Sequence, residues 1–286
     1  MVVISKLAEA YSLFIILKPL MIKPLGVCFS IVAAFALGLF NTGVGAQSAA
    51  GLTPYNQVNL MVFDEAATSP AFISRSQYYN AFVMAQPYLP FPQNVSALDI
   101  FSYPSFINTA VLIANISSQQ ELAMYLAQVL YETNGLTFRV VPPCSALSNC
   151  TVCSNYTQQY VNNTGGVDGI NYYGRGHLYI QNASEYLAVS QALFNDDSLL
   201  RNPNFLVNSY PVAWATAAWK WKTYVKPVLG ASDAFGLTTK YLRPADCAVP
   251  QNGNQTQQAT TAFKIYEQVL SAIQPNLTAN SAGCFT

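Results

Sequence analysis

Charged side chains are scarce in this sequence. Lysine, arginine, aspartate and glutamate make up 9% of the 286 residues, and 13 basic residues balance 13 acidic ones. No basic stripe is available to track a phosphate backbone, so a nucleic-acid partner is excluded. Histidine is scarcer still: His177 is the only one. The pair Cys150-x-x-Cys153 has no second Cys-x-x-Cys beside it, so the ligand set of a zinc site is incomplete. No metal is implied, and nothing points to another cofactor. Internal repeats and long low-complexity tracts are also absent.

What the sequence does have is apolar. Hydrophobic residues reach 52% and aromatic residues 13%, ample for the core of one large domain or two small lobes. There are 18 tyrosines. Such rings stack on sugars while the hydroxyl hydrogen-bonds, although Asn- and Ser-rich secreted proteins are also simply rich in tyrosine. At the N-terminus, Lys6, Lys18 and Lys23 precede an apolar run from Leu25 to Phe40, and Val44-Gly45-Ala46 offers a cleavage site before Gln47. That order reads as a secretory signal peptide. The run falls short of the ~20 residues of a membrane span. Leu13 to Met21 is apolar too, so an uncleaved anchor is the alternative. We expect a leader over 1–47, a linker over 48–54, and one domain over 55–286. The chain is then secreted, or membrane-anchored if the leader stays.

Two further features agree with secretion. Asn-x-Ser/Thr acceptors occur at Asn94, Asn115, Asn149, Asn155, Asn162, Asn182, Asn254 and Asn276. Beyond Cys28 in the leader lie Cys144, Cys150, Cys153, Cys247 and Cys284. Four of these can form two disulfides in an oxidising compartment, with one thiol over.

Apolar periodicity is mainly helical. Ser118 caps a helix over about 118–133, with Glu121 completing a capping box. Leu122, Tyr125, Leu126, Val129 and Leu130 form its buried stripe, and Gly135 suits its end. Further helices are expected over 73–85, 183–194, from Pro211 through Trp214, Trp219 and Trp221, and over 257–273. Residues 136–181 read as loop.

Glu132 stands out chemically. It lies beside Tyr125 and Gln128 on the helical wheel, at the margin of the apolar stripe. The helix end and partial burial both disfavour its charged form, as a proton donor requires. The bland reading is a solvated glutamate near a helix end.

A resemblance adds to this. Ala127-Gln128-Val129-Leu130-Tyr131-Glu132-Thr133-Asn134-Gly135-Leu136 resembles the A-Q-x-x-H-E-[TS]-x-G-[GL] motif of family 19 glycoside hydrolases, the plant-type chitinases. Tyr172-Tyr173-Gly174-Arg175-Gly176-His177 resembles the Y-[YF]-G-R-G signature. Arg201 to Val207 is similar to the NPDLV region, and Thr216 to Trp221 to the TA-x-W-[FY]-W run. Tyr78 to Pro92 and Phe235 to Lys240 carry weaker likenesses, all in order over about 55–275.

The resemblance implies a mainly α, two-lobed lysozyme-like fold with a central cleft and long loops. It implies a monomer whose partner is chitin or a related polysaccharide. Glu132 becomes the general acid. Gln128, Thr133, Tyr179, Gln181 and Tyr186 become candidate sugar contacts, and Arg175 a brace that pairs with a carboxylate, Glu132 among the choices.

The departures are equally informative. The histidine before the acid is Tyr131. Where the family places its second carboxylate, the run is Thr137-Phe138-Arg139-Val140-Val141-Pro142-Pro143-Cys144. An inverting hydrolase needs a base to activate water on the far face of the sugar, and valine cannot serve. Gln181 replaces a water-orienting hydroxyl, and Thr239-Lys240-Tyr241-Leu242-Arg243-Pro244 stands where the family reads T-N-x-I-N-G, so a sugar-binding Asn is expected to be lost. Asp168 and Glu185 are the alternative carboxylates, each with a plain solvated reading. Two functions therefore stand: a chitinase, or a catalytically impaired chitin-binding protein of the same fold.

Overall fold

A computed structural model describes residues 69–89, 102–141, 164–247 and 254–284. The chain divides into two units, Met1–Ser48 and Ala49–Thr286. The first unit, the linker, and Cys144, Cys150 and Cys153 lie outside the described residues. Among the described residues no helix is long and apolar enough to cross a membrane.

The described part is helical: α1 (Arg75–Ala85), α2 (Ser102–Leu112), α3 (Gln119–Glu132), α4 (Ala183–Phe194), α5 (Ser198–Arg201), α6 (Phe205–Asn208), α7 (Tyr210–Lys220), α8 (Lys226–Leu229), α9 (Phe235–Leu242) and α10 (Asn254–Ile273). A π-helical turn, Trp221–Val225, joins α7 to α8. Among the described residues the only extended pairing is by isolated bridges. The mainly α class expected from periodicity is therefore found.

Helix α3 is the central strut. Ser118 Oγ accepts from the Glu121 amide at 3.1 Å, so the expected cap forms. The reciprocal half of the box does not, because the Glu121 carboxylate goes elsewhere. It meets Lys226 Nζ at 3.0 Å and Trp221 Nε1 at 3.1 Å. The expected single stripe is also too narrow: every residue from Leu122 to Leu130 is buried. One side faces α10, whose Ala262, Tyr266, Val269 and Leu270 are buried, and Phe106 and Trp214 pack on Tyr125. Aromatic pairs of this kind contribute about 0.5–1.5 kcal/mol each beyond their burial.

Helix α7 divides two hydrophobic cores. Trp214, Ala217, Ala218 and Trp221 join the core of α1, α2, α3 and α10. Val212, Ala215 and Trp219 join a smaller core with Tyr172, Tyr186, Val189, Leu199 and Leu206. All three tryptophans are thus packing residues. Helix α2 was not expected. Its Tyr103, Phe106, Ile107 and Ala110 have helical spacing, but Pro104 masks it, and a proline in a first turn costs no hydrogen bond.

The C-terminal end of the fold is tied covalently. Cys247 and Cys284 form a disulfide. It joins the turn after α9 to the segment after α10, and accounts for one of the two bridges expected.

Candidate active site

Glu132 closes α3, where Thr133 caps the helix by donating its hydroxyl to Val129 O at 2.6 Å and accepting from Leu136 N at 2.8 Å. Glu132 is not a solvated helix-end residue. Its side chain is 16% exposed, and Oε1 lies 2.6 Å from Arg243 Nη1. Arg243 follows α9. It also donates to Gln128 Oε1 at 2.7 Å and to Asp246 Oδ2 at 2.8 Å, and lies over the Tyr131 ring at 4.3 Å. One guanidinium therefore holds two carboxylates and an amide.

Burial and the neighbouring charges together tune Arg243, Asp246 and Tyr131. Burial opposes the charge on Arg243, but Glu132 and the neighbouring oxygens outweigh it and hold its proton more tightly than water would. Burial holds the Asp246 carboxyl above its ordinary value, although Arg243 pulls it down. Burial also pushes the Tyr131 phenol up to about 12, so it stays neutral as a flat platform for the cation.

The brace expected of Arg175 takes another form. Arg243 rather than Arg175 reaches Glu132. The Arg175 guanidinium donates to the carbonyls of Asn171 at 2.9 Å and Tyr173 at 3.3 Å and to Tyr186 Oη at 3.2 Å. It stacks on the Tyr173 ring at 3.5 Å, and meets no carboxylate among the described residues.

The candidate sugar contacts are mostly spent inside the protein. Gln128 is fully buried and donates to Thr238 and Thr239 Oγ1 at 2.7 and 2.9 Å. Tyr186 is buried in the smaller core and donates to Tyr173 O at 3.0 Å. Thr133 is the helix cap already described. Tyr179 sits at φ 39°, a left-handed conformation that costs a tyrosine about 1–3 kcal/mol. It is held from both ends. Its hydroxyl donates to the Glu132 carbonyl at 2.7 Å, and its own carbonyl accepts from Lys220 Nζ at 2.8 Å.

The alternative carboxylates separate clearly. Asp168 is exposed on a turn. Glu185, in the first turn of α4, pairs with Lys220 at 3.1 Å and accepts from the Gln181 amide at 2.6 Å. These two residues line a cavity of about 570 Å³ with Asn182, Ser184, Ala188, Tyr224, Tyr241 and Leu242. Among these lining residues Leu242 is the chain neighbour of Arg243, while Glu132 and Arg243 themselves do not line the cavity. Asn182, in one of the Asn-x-Ser sequences, is half-buried in the cavity wall.

The stretch expected to carry a second carboxylate lies within the described residues as far as Val141. Val141 N donates to Gly174 O at 3.1 Å and Gly176 N to Arg139 O at 2.9 Å, so the valines zip against the Gly174-Arg175-Gly176 turn. Val141 is buried there. Arg243 and Asp246, which the sequence reading did not single out, are the charged partners that the structure places with Glu132. Their signal was an Arg-x-x-Asp spacing directly before a cysteine, Cys247.

The family model of the class I chitinases, glycoside hydrolase family 19, matches residues 68–246. The chain belongs to that family. An Arabidopsis thaliana endochitinase is 30% identical over 146 residues, covering 51% of this chain and 51% of its own length. Another A. thaliana endochitinase is 27% identical over 168 residues, covering 58% of this chain and 54% of its own. This family-19 chain thus spans about half the length of the curated relatives it matches. Chitinase C from Streptomyces griseus HUT6037 superposes with a TM-score of 0.51 at 21% identity, over 73% of this chain and 81% of that chain. The likeness establishes the lysozyme-like fold of family-19 enzymes.

Proposed function

We propose that this family-19 chain is a secreted chitinase-like glycoside hydrolase acting on β-1,4-linked N-acetylglucosamine polymers, with Glu132 as the general acid. The observation that carries the reading is the placement of Glu132 itself. Its segment resembles the family's acid motif, and it sits mostly out of water at a helix end, paired with Arg243 at 2.6 Å. To protonate a glycosidic oxygen, Glu132 has to give up that contact. Gln128 and Asp246 keep the guanidinium satisfied when it does. The Arg243 contact is an ion pair with the carboxylate, so acid catalysis requires Glu132 to part from Arg243 and take up a proton before it donates one.

One observation favours a second reading, in which chitin is bound without turnover. Val140 and Val141 occupy the run where a base is expected, and the Glu185 carboxylate is committed to Lys220. The two readings separate in one assay of the purified chain on chitohexaose and colloidal chitin. Hydrolysis that falls by about 10²–10⁴ in Glu132→Gln supports the acid role. Retention on chitin with no product from the wild type supports binding alone. Hydrolysis unchanged in Glu132→Gln would remove Glu132 from the reaction.

A further inference from the structure

Asn115, Asn182 and Asn276 are the Asn-x-Ser/Thr asparagines whose side-chain surroundings the structure describes, and the fold treats them differently. Asn115 lies in the turn between α2 and α3, at φ 54°, a left-handed conformation that asparagine tolerates. Asn115 and Ser117 are exposed, while Ile116 between them is buried. The turn is therefore anchored by its middle residue and presents the amide and the hydroxyl to water. Asn276 follows α10 in a run, Pro275 to Thr278, that is exposed throughout. Leu277 N donates to Gln274 O at 3.1 Å, so this run is a turn as well. Among the described residues the side-chain amides of Asn115 and Asn276 make no hydrogen bond; the contact at Asn115 is through its carbonyl, which accepts from Lys226 Nζ at 2.6 Å. Asn182 is built into the fold instead. It is half-buried, its N–H donates to Tyr172 O at 3.0 Å, and its carbonyl accepts from the Glu185 and Tyr186 amides at 3.1 Å each as α4 begins.

The two open asparagines also share one end of the larger core. Gln119, the first residue of α3, donates to Phe72 O, just before α1, at 2.8 Å. Gln77, in the first turn of α1, donates to Ile273 O, at the end of α10, at 3.1 Å. The starts of α1 and α3 and the end of α10 therefore meet there, beside Asn115 and Asn276. Glu132 closes α3 at its other end, and 14 residues at 1.5 Å each separate the two ends by about 21 Å. Each open asparagine lies within three residues of an exposed leucine, Leu112 or Leu277, apolar surface that a bulky polar group would cover.

We propose that Asn115 and Asn276 carry N-linked oligosaccharides and that Asn182 does not. The donor is an oligosaccharide held on a lipid pyrophosphate. The asparagine Nδ2 forms a bond to C1 of the first sugar, the bond from C1 to the pyrophosphate oxygen breaks, the lipid pyrophosphate leaves with the electron pair, and the amide gives up one proton. At Asn115 and Asn276 the product projects into water and disturbs no hydrogen bond among the described residues. At Asn182 the first sugar would have to fit into the cavity wall against Glu185 and Lys220, where α4 starts. The glycans therefore gather at the end of the helical frame remote from Glu132 and leave its surroundings clear. The assignment rests on the secreted reading above, because the transfer belongs to the secretory pathway.

The test is expression of the full chain, with its own leader, in a eukaryotic secretory host. Chain recovered from the medium and the membrane fraction is treated, in heavy-oxygen water, with an amidase that releases N-linked glycans and turns each asparagine that carried one into a labelled aspartate. Peptide mass spectrometry is expected to find the label at Asn115 and Asn276 and none at Asn182. On a gel, Ser117→Ala and Thr278→Ala should each remove one glycan step from the untreated chain, and Ser184→Ala none. These variants delete the acceptor sequence at three exposed residues and leave every asparagine in place, including Asn115 at its left-handed φ. An unlabelled Asn115 or Asn276 in chain that has reached the medium or the membranes, or a labelled Asn182, would overturn the assignment while leaving secretion standing. A chain found only in the cytosol would overturn the secreted reading and the glycans with it.

Discussion

Arg243 is the residue whose removal the structure predicts most sharply. Arg243→Met keeps a long apolar stem and deletes the guanidinium that contacts Glu132 at 2.6 Å, Gln128 at 2.7 Å and Asp246 at 2.8 Å. The three ionic side chains are only 14%, 16% and 10% exposed. Removing one partner of a buried pair costs about 3–5 kcal/mol, because the other charge is left stranded. Here two carboxylates share one cation, so a loss near the top of that range is expected. Against a total stability of about 5–15 kcal/mol that is a large fraction. At about 2–4 °C per kcal/mol it lowers Tm by roughly 10 °C or more. Denaturant titration near neutral pH, followed by the fluorescence of buried Trp214 and Trp221, measures it. Adding Glu132→Gln and Asp246→Asn should restore a large part of the loss, since no bare charge then remains. A cost below about 1 kcal/mol, or one erased by moderate salt, would mean the pair behaves as a surface ion pair and would refute the reasoning.

Two other substitutions test separate parts of the fold. Burial, and then the Arg139 charge, hold the His177 imidazole down at about 3. The folded state therefore resists a proton that the unfolded chain accepts near 6.5, so His177 contributes stability that is complete above that pH and lost as pH falls toward 3. The slope is about 1.4 kcal/mol per pH unit in that window. Denaturation midpoints from pH 7 to pH 4 should fall more steeply in the wild type than in His177→Phe, and parallel curves would contradict the assignment. Gly236, in α9, leaves no room for a side chain: a methyl would meet the backbone of Ser281, Ala282 and Cys284. Gly236→Ala is expected to cost about 1–3 kcal/mol in the same titration, and a change within 0.5 kcal/mol would show that the C-terminal turn yields freely.

Much of the helical framework was legible because periodicity and caps are local. Ser118 caps α3 and α4 spans Ala183–Phe194, as their patterns imply. The family likeness was legible for a similar reason, since its motifs are short runs. The state of Glu132 was not. Its partner lies 111 residues away, and no spacing rule links a helix end to an arginine after a distant helix. Pattern reading also misjudged burial. Gln128 and Thr133 are polar and looked available to a ligand, yet the burial of α3 in the larger core turns both inward. Arg175 shows the same limit: a guanidinium can be satisfied by backbone carbonyls as well as by a carboxylate, and only the fold chooses.

The wide turn at Trp221–Val225 has a consequence for the length of the chain. It absorbs an extra residue relative to α winding, and so resets the angular phase of everything after it. Lys220, before it, faces Tyr179 and Glu185, while Lys226, after it, faces Asn115 and Glu121. One continuous rod thereby clamps two different walls. Deleting a single residue there would rewind the rod uniformly and swing Lys226 off its partners. The number of residues in this stretch is therefore constrained even though Lys222 and Thr223 themselves face the solvent.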